Sequence, residues 1–195
     1  MDDFKQNKQL IVVGRSWPKD EELFIELIHS KLKNNWKIVF APHNLNENEI
    51  NSFINKLNSK VVRFSDLAQT SKQELHEAKL FILNTIGILS KVYSYADITY
   101  IGGGFGAGIH NTLEAVTFGH PVVFGPKYKK FQEAIDLIKV GGGFSISNQA
   151  EFNHIFEQLI ENESFRKEAG KKAGDYVQKS PQATKIILDY LSSKL

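Results

Sequence analysis

At 195 residues, with 42% hydrophobic and 24% charged residues, the chain can bury a core as one domain without a disulfide or metal. It has no cysteine, which excludes a disulfide scaffold, thiolate chemistry and cysteine-bound metal. Its 24 Lys and Arg against 22 Asp and Glu leave a net charge of +2, which gives no electrostatic footprint for nucleic acid.

The first ten residues, MDDFKQNKQL, are polar and lack the apolar stretch of a signal peptide. The apolar runs are strand-length, so no membrane span is expected. Gln9 to Val13 reads as a strand, and Gly14-Arg15-Ser16 as the turn after it. A helix is expected from Glu21 to Leu32, with Leu23, Phe24, Leu27 and Ile28 on one face. Trp36 to Ala41 is the next strand, stopped by Pro42. Asn46 is placed to cap a helix whose apolar positions are Ile50, Phe53, Ile54 and Leu57.

Val61 to Phe64 reads as a third strand, and residues 65–77 are polar without a clear period. Lys79 to Leu83 is the fourth strand, Ile88 to Ala96 a short helix, and Asp97 to Ile101 the fifth strand. A glycine-rich loop follows, then a helix over Thr112 to Phe118. Pro121 to Phe124 is strand, Phe131 to Ile138 helix, and Gly143 to Ile146 an edge strand. Helical patterns over 150–160, 163–178 and 182–193 close the chain. Strands separated by helix-length segments predict an α/β fold with a Rossmann-like, doubly wound parallel sheet and right-handed crossovers.

The strongest functional signal is Ile101 to Ala115, IGGGFGAGIHNTLEA, with glycines at 102, 103, 104, 106 and 108. It leaves a strand and opens a helix, on the sheet edge where such folds bind ligands. Glycines let a ligand approach the backbone, and free N–H groups at a helix start favour an anion. The spacing is neither a dinucleotide fingerprint nor a P-loop. Glu114, in the first helical turn, is placed either to accept from ribose hydroxyls or merely to complement the helix dipole. Asn111 is a ligand group or the N-cap, and His110 shares that mouth. Arg15 and Ser16 follow the first strand and suit an anion. His43 follows the second strand. The other histidines show no metal-site spacing.

Several of these loops together resemble one family. VVGRSWPKDEELF at 12–24, FAPHN at 40–44, the stretch from Asn84 to Pro126, and KYKKFQEA at 127–134 are similar, in order and spacing, to the C-terminal half of the 3-deoxy-D-manno-octulosonic acid (Kdo) transferases. The resemblance covers nearly the whole chain. It implies the C-terminal domain of a two-domain GT-B glycosyltransferase, residues 1–195 forming one CMP-sugar-binding unit. The donor is then CMP-Kdo, with no cofactor and no metal, and the acceptor is lipid IVA, a lipid A precursor of lipopolysaccharide.

The family's N-terminal half holds the acceptor, carries the glutamate base and sits at the cytoplasmic face of the inner membrane. That half is expected to be missing here. No catalytic residue is therefore expected in this chain, which alone is expected to be soluble and inactive, with the 182–193 helix packing toward the absent half. Carried over by motif, Ser16 matches the Gly-Ser phosphate loop, with Arg15 intervening. His43 matches the histidine of a Pro-Arg-His whose arginine is absent. Ile86 and Gly87 match a Met/Ile-Gly pair, with Asn84 and Ile88 where the family has acids. His110, Asn111 and Glu114 match the His-Asn-x-x-Glu nucleotide segment, downstream of Gly104, Gly106 and Gly108. Two other classes fit the fold: a stand-alone, non-catalytic nucleotide-binding or regulatory domain, and a fragment of a sugar-nucleotide epimerase.

Overall fold

The structure, a computed structural model, describes residues 1–179. A short helix α1 (Asp2–Lys5) precedes strand β1 (Gln9–Ser16). Then come α2 (Pro18–Glu26), a π turn (Leu27–Lys31), β2 (Trp36–Pro42), α3 (Glu47–Leu57) and β3 (Val61–Arg63). A 3₁₀ turn (Phe64–Asp66) leads to α4 (Lys72–Glu77), β4 (Leu80–Ile82), α5 (Leu89–Tyr93) and β5 (Ile98–Ile101). The chain continues with α6 (Leu113–Val116), β6 (Val122–Phe124), α7 (Gln132–Val140), β7 (Gly143–Ser145), α8 (Gln149–Glu161) and α9 (Glu163–Lys179).

The seven strands form one sheet in the order β3-β4-β2-β1-β5-β6-β7. Every pairing is parallel. This is the expected doubly wound sheet. The order reverses beside β1, so the crevice at the carboxyl ends of β1 and β5 is where such a topology leaves room for a ligand.

Both faces of the sheet are covered, so the central strands are apolar without alternation. In β1, Leu10 and Val12 enter one core cluster while Ile11 and Val13 enter the other. Phe24 of α2 centres the second cluster. Its ring meets those of Phe40, Tyr100, Phe152 and Phe156 at 4.8–5.4 Å, all edge-on, the arrangement that the ring quadrupoles prefer.

The departures from the sequence reading have local causes. The first strand does not stop at Val13 but runs to Ser16, because Arg15 forms a bulge with φ 52° and pairing resumes at Ser16–Pro42. Helix α2 begins at Pro18 rather than Glu21, since proline suits the first helical position. Within the polar stretch 65–77, α4 is set by a reciprocal cap between Ser71 and Glu74. Helix α1 carries no sequence period long enough to read. The helix expected over 182–193 lies outside the described residues.

Candidate functional site

The carboxyl ends of β1, β2 and β4 open onto a cleft of about 360 Å³ lined by Arg15, His43, Ile86 and Gly87, among others. That volume is in the range of small-ligand sites. Four residues singled out separately in sequence therefore share one concavity. Ile86 is 84% exposed at its lip, and Arg15 is exposed and makes no salt bridge among the described residues.

His110 joins them through an aromatic stack. Trp17 lies 4.3 Å from His43 with the rings 20° apart, and His43 lies 4.8 Å from His110 with the rings 23° apart. The stack thus links the end of β1, the end of β2 and the glycine loop. Burial, then the neighbouring His43 and Arg15, hold the His110 imidazole below its ordinary pKa. His43 Nδ1 is buried with no partner among the described residues. Such a group costs free energy until something satisfies it.

Glu114 is exposed in α6. Its charge reaches Tyr93: burial first, then Glu114, pushes that phenol above its usual range, while Arg15 acts in the opposite sense. Arg15 and Glu114 therefore act with opposite sign on one buried tyrosine. Tyr93 is wedged under Gly14, where a Cβ would lie 1.7 Å from its Oη, so only glycine fits that point of β1.

Three expectations are corrected. Ser16 is 2% exposed, and its hydroxyl donates to Glu21 Oε1 at 2.8 Å; it is turned inward and does not line the cleft. Asn111 does not cap the helix: Thr112 holds that position, and Asn111 Oδ1 accepts from the N–H of Leu113 at 3.0 Å. The glycine loop is packed mainly against protein. A Cβ on Gly104 would stand 2.6 Å from the backbone of Gly125, the Gly104 carbonyl accepts from the N–H of Lys127 at 3.0 Å, and the Gly106 carbonyl accepts from Lys127 Nζ at 2.7 Å. Gly108, with φ 125°, approaches Lys127 and Phe131. Gly104, Gly106 and Gly108 thus face the segment after β6. Helix α6 has only four residues.

Sequence reasoning missed Trp17, Asp20, Glu21 and Tyr93. A readable signal existed for Asp20: Trp17-Pro18-Lys19-Asp20 has proline at the first helical position and an acid at the third, the pattern of a helix start. Asp20 is 0% exposed. Among the described residues, no group of three or more His, Cys, Asp or Glu could hold a metal ion, and no helix is long and apolar enough to cross a membrane.

No protein-family model matches the chain. Among curated proteins, it is 30% identical over 142 residues to the 3-deoxy-D-manno-octulosonic acid transferase of Chlamydophila psittaci, covering 71% of this chain and 31% of that protein. The transferase of the same name from Chlamydia trachomatis is 25% identical over 190 residues, covering 96% of this chain and 43% of that protein. The chain is a relative of the Kdo transferases. It spans less than half the length of these Kdo transferases. Among solved structures, the C-terminal CMP-Kdo binding domain of WaaA from Acinetobacter baumannii superposes with a TM-score of 0.75 at 19% identity, covering 90% of this chain and 92% of that one. The fold is that of a GT-B glycosyltransferase C-terminal domain, as the resemblance to Kdo transferases implied.

Proposed function

We propose that this chain is the donor-binding half of a Kdo transferase, and that it takes the CMP moiety of CMP-Kdo in the cleft at the ends of β1, β2 and β4. The observation that carries the reading is the convergence of Arg15, His43, Ile86 and Gly87 on one cleft, with His110 stacked on His43, in a relative of Kdo transferases. On this reading Arg15, His43 and His110 face the phosphate, and Glu114 accepts from the ribose hydroxyls. Ser16 acts from beneath, by tying the end of β1 to Glu21.

The reaction breaks the bond between the sugar's anomeric carbon and a phosphate oxygen of CMP. Negative charge collects on that oxygen, so fixed cationic and N–H groups that meet it lower the barrier. The acceptor hydroxyl, on lipid IVA, must lose its proton to a base. We assign that base, the acceptor site and the inner-membrane contact to the remainder of a longer protein. Residues 1–195 are then one CMP-sugar-binding unit that needs no cofactor.

Calorimetric titration with CMP tests the reading, with UMP as the comparison. CMP is expected to bind the chain more tightly than UMP. The Glu114→Gln variant is expected to bind CMP ten- to a hundred-fold more weakly, since a charge-assisted hydrogen bond contributes about 1.5–3 kcal/mol. It should match wild type in 2′-deoxy-CMP affinity. A stably folded Glu114→Gln protein with unchanged CMP affinity sinks the ribose assignment.

A further inference from the structure

Asp20 lies off the cleft, yet its carboxylate is the meeting point of three elements around it. Its Oδ1 accepts from Tyr100 Oη of β5 at 2.7 Å. Its Oδ2 accepts from the N–H of Gly103 in the glycine loop at 2.9 Å, and from the N–H of Trp17 at the β1–α2 junction at 3.0 Å. The side chain is fully buried. Burial pushes its pKa up against the pull of all three hydrogen bonds. A helix cap needs only the bond to Trp17. The bonds to Tyr100 and Gly103 do nothing for α2 and are a separate use of the residue.

Both ends of the aromatic stack refer to this one group. Trp17, whose N–H Asp20 holds, forms one end of the Trp17–His43–His110 stack. Gly103, whose N–H Asp20 also holds, accepts on its carbonyl from the N–H groups of Gly106 and Gly108, at 2.9 and 3.0 Å. It therefore anchors the loop that returns the chain to His110, the other end. We infer that Asp20 is a positioning residue of the donor site: it fixes the gap between the β1–α2 junction and the glycine loop, so that His110 seats on His43 beside Arg15. The inference rests on the CMP reading for its ligand but not for its geometry.

The test separates position from stability and from ligand identity. Asp20→Ala leaves three buried donors without an acceptor. Asp20→Ser leaves room for water but cannot span to Gly103, and it carries the same comparison should the alanine variant fail to fold. Asp20→Asn keeps the shape; its Oδ1 can accept from both backbone N–H groups while its Nδ2 donates to Tyr100 Oη. Three readouts are taken: CMP affinity, the His110 titration by NMR with Arg15 and His43 as its charged neighbours, and amide exchange at Gly103.

In wild type, Gly103 is expected to exchange far more slowly than the loop-tip residue Ala107. In Asp20→Ser, CMP affinity is expected to fall about ten-fold, the His110 midpoint to rise toward that of a free imidazole, and Gly103 to exchange quickly. Asp20→Asn should stay within about three-fold of wild type in affinity, with His110 unmoved. Fast Gly103 exchange in wild type, or a folded Asp20→Ser protein with the wild-type His110 midpoint, overturns the inference. If wild type does not bind CMP, the ligand reading fails, and the His110 and Gly103 readouts still decide the role of Asp20.

Discussion

The two edges of the sheet expose charge to different degrees. At the amino edge, Lys5, Asp97 and Lys37 each have a hydrogen-bond partner within the fold. Lys5 Nζ donates to Asp97 Oδ2 at 2.9 Å and to the Tyr95 carbonyl at 2.7 Å, and the same Asp97 oxygen accepts from the N–H of Leu10. Lys37, 4% exposed at the start of β2, donates to the His76 carbonyl at 2.7 Å. At the carboxyl edge, Arg15 and Glu114 stand in solvent, His43 Nδ1 lacks a partner among the described residues, and Ile86 is bare. Trp36 Nε1 at the start of β2 and His120 Nε2 just before β6 also lack partners among the described residues, so the difference lies in the exposed Arg15, Glu114 and Ile86 of the carboxyl edge. Exposed charged and apolar side chains together at a topological switch point suit a ligand site.

That contrast predicts which substitutions separate folding from binding. The largest expected effect is Gly104→Ala. The new methyl would stand 2.6 Å from the backbone of Gly125, where no side chain can swing aside. The loop and the β6 end must part, at a cost of about 3 kcal/mol. Urea unfolding should show it, with CMP affinity falling as well because the loop carries His110. Stability within 0.5 kcal/mol of wild type, a margin typical of about-neutral substitutions, would show that the loop yields freely.

The fold was largely legible in sequence, and the site only in part. Period and punctuation sufficed for the strands, because a parallel sheet covered on both faces demands apolar runs such as Leu10 to Val13. Arg15, His43, Gly87 and His110 were legible as loop residues after strands, and the sheet order brings them to one edge. Asp20 was legible as part of a helix start, but its bonds to Tyr100 and Gly103 were not, because those partners lie 80 and 83 residues away. Nor was the inward turn of Ser16, which depends on a bulge at Arg15. The glycines were visible, but which backbone each lets approach is a tertiary fact.

Asp97→Ala probes the amino edge. It removes the partner of Lys5 and leaves the N–H of fully buried Leu10 without its acceptor. A loss of about 2 kcal/mol in unfolding free energy is expected, mostly from the orphaned N–H rather than from the ion pair, which is partly exposed. CMP affinity should not change, since the substitution lies across the sheet from the cleft. A variant that binds CMP several-fold more weakly at full folding would dissolve the division of labour between the edges.

The smallest expected effect, and the finest test, concerns Glu21 beneath the open edge. Burial pushes its carboxyl from 4.5 up to about 6, and the charges of Asp20 and Glu49 add to this, while the Ser16 hydroxyl and Lys56 act the other way. A carboxyl raised in the folded state binds more protons there than in the unfolded chain. Its contribution is therefore most favourable below about pH 4.5 and is lost as pH rises through 6. The size is about 1–2 kcal/mol, from 1.36 kcal/mol per pKa unit. Glu21→Gln keeps an acceptor for Ser16 and cannot ionise. Asp20 remains in both proteins, and its repulsion with Glu21, lost in the variant, is part of what the comparison reads. Urea unfolding at pH 4.5 and pH 7 should show wild type losing about 1–2 kcal/mol more than Glu21→Gln over that interval, with the variant the more stable at pH 7. Here a buried charge is carried at a cost in stability, which fits a group kept to hold the end of β1 rather than to strengthen the fold. Equal pH slopes in the two proteins would mean that Glu21 ionises at its ordinary value, and that the open edge carries no such cost.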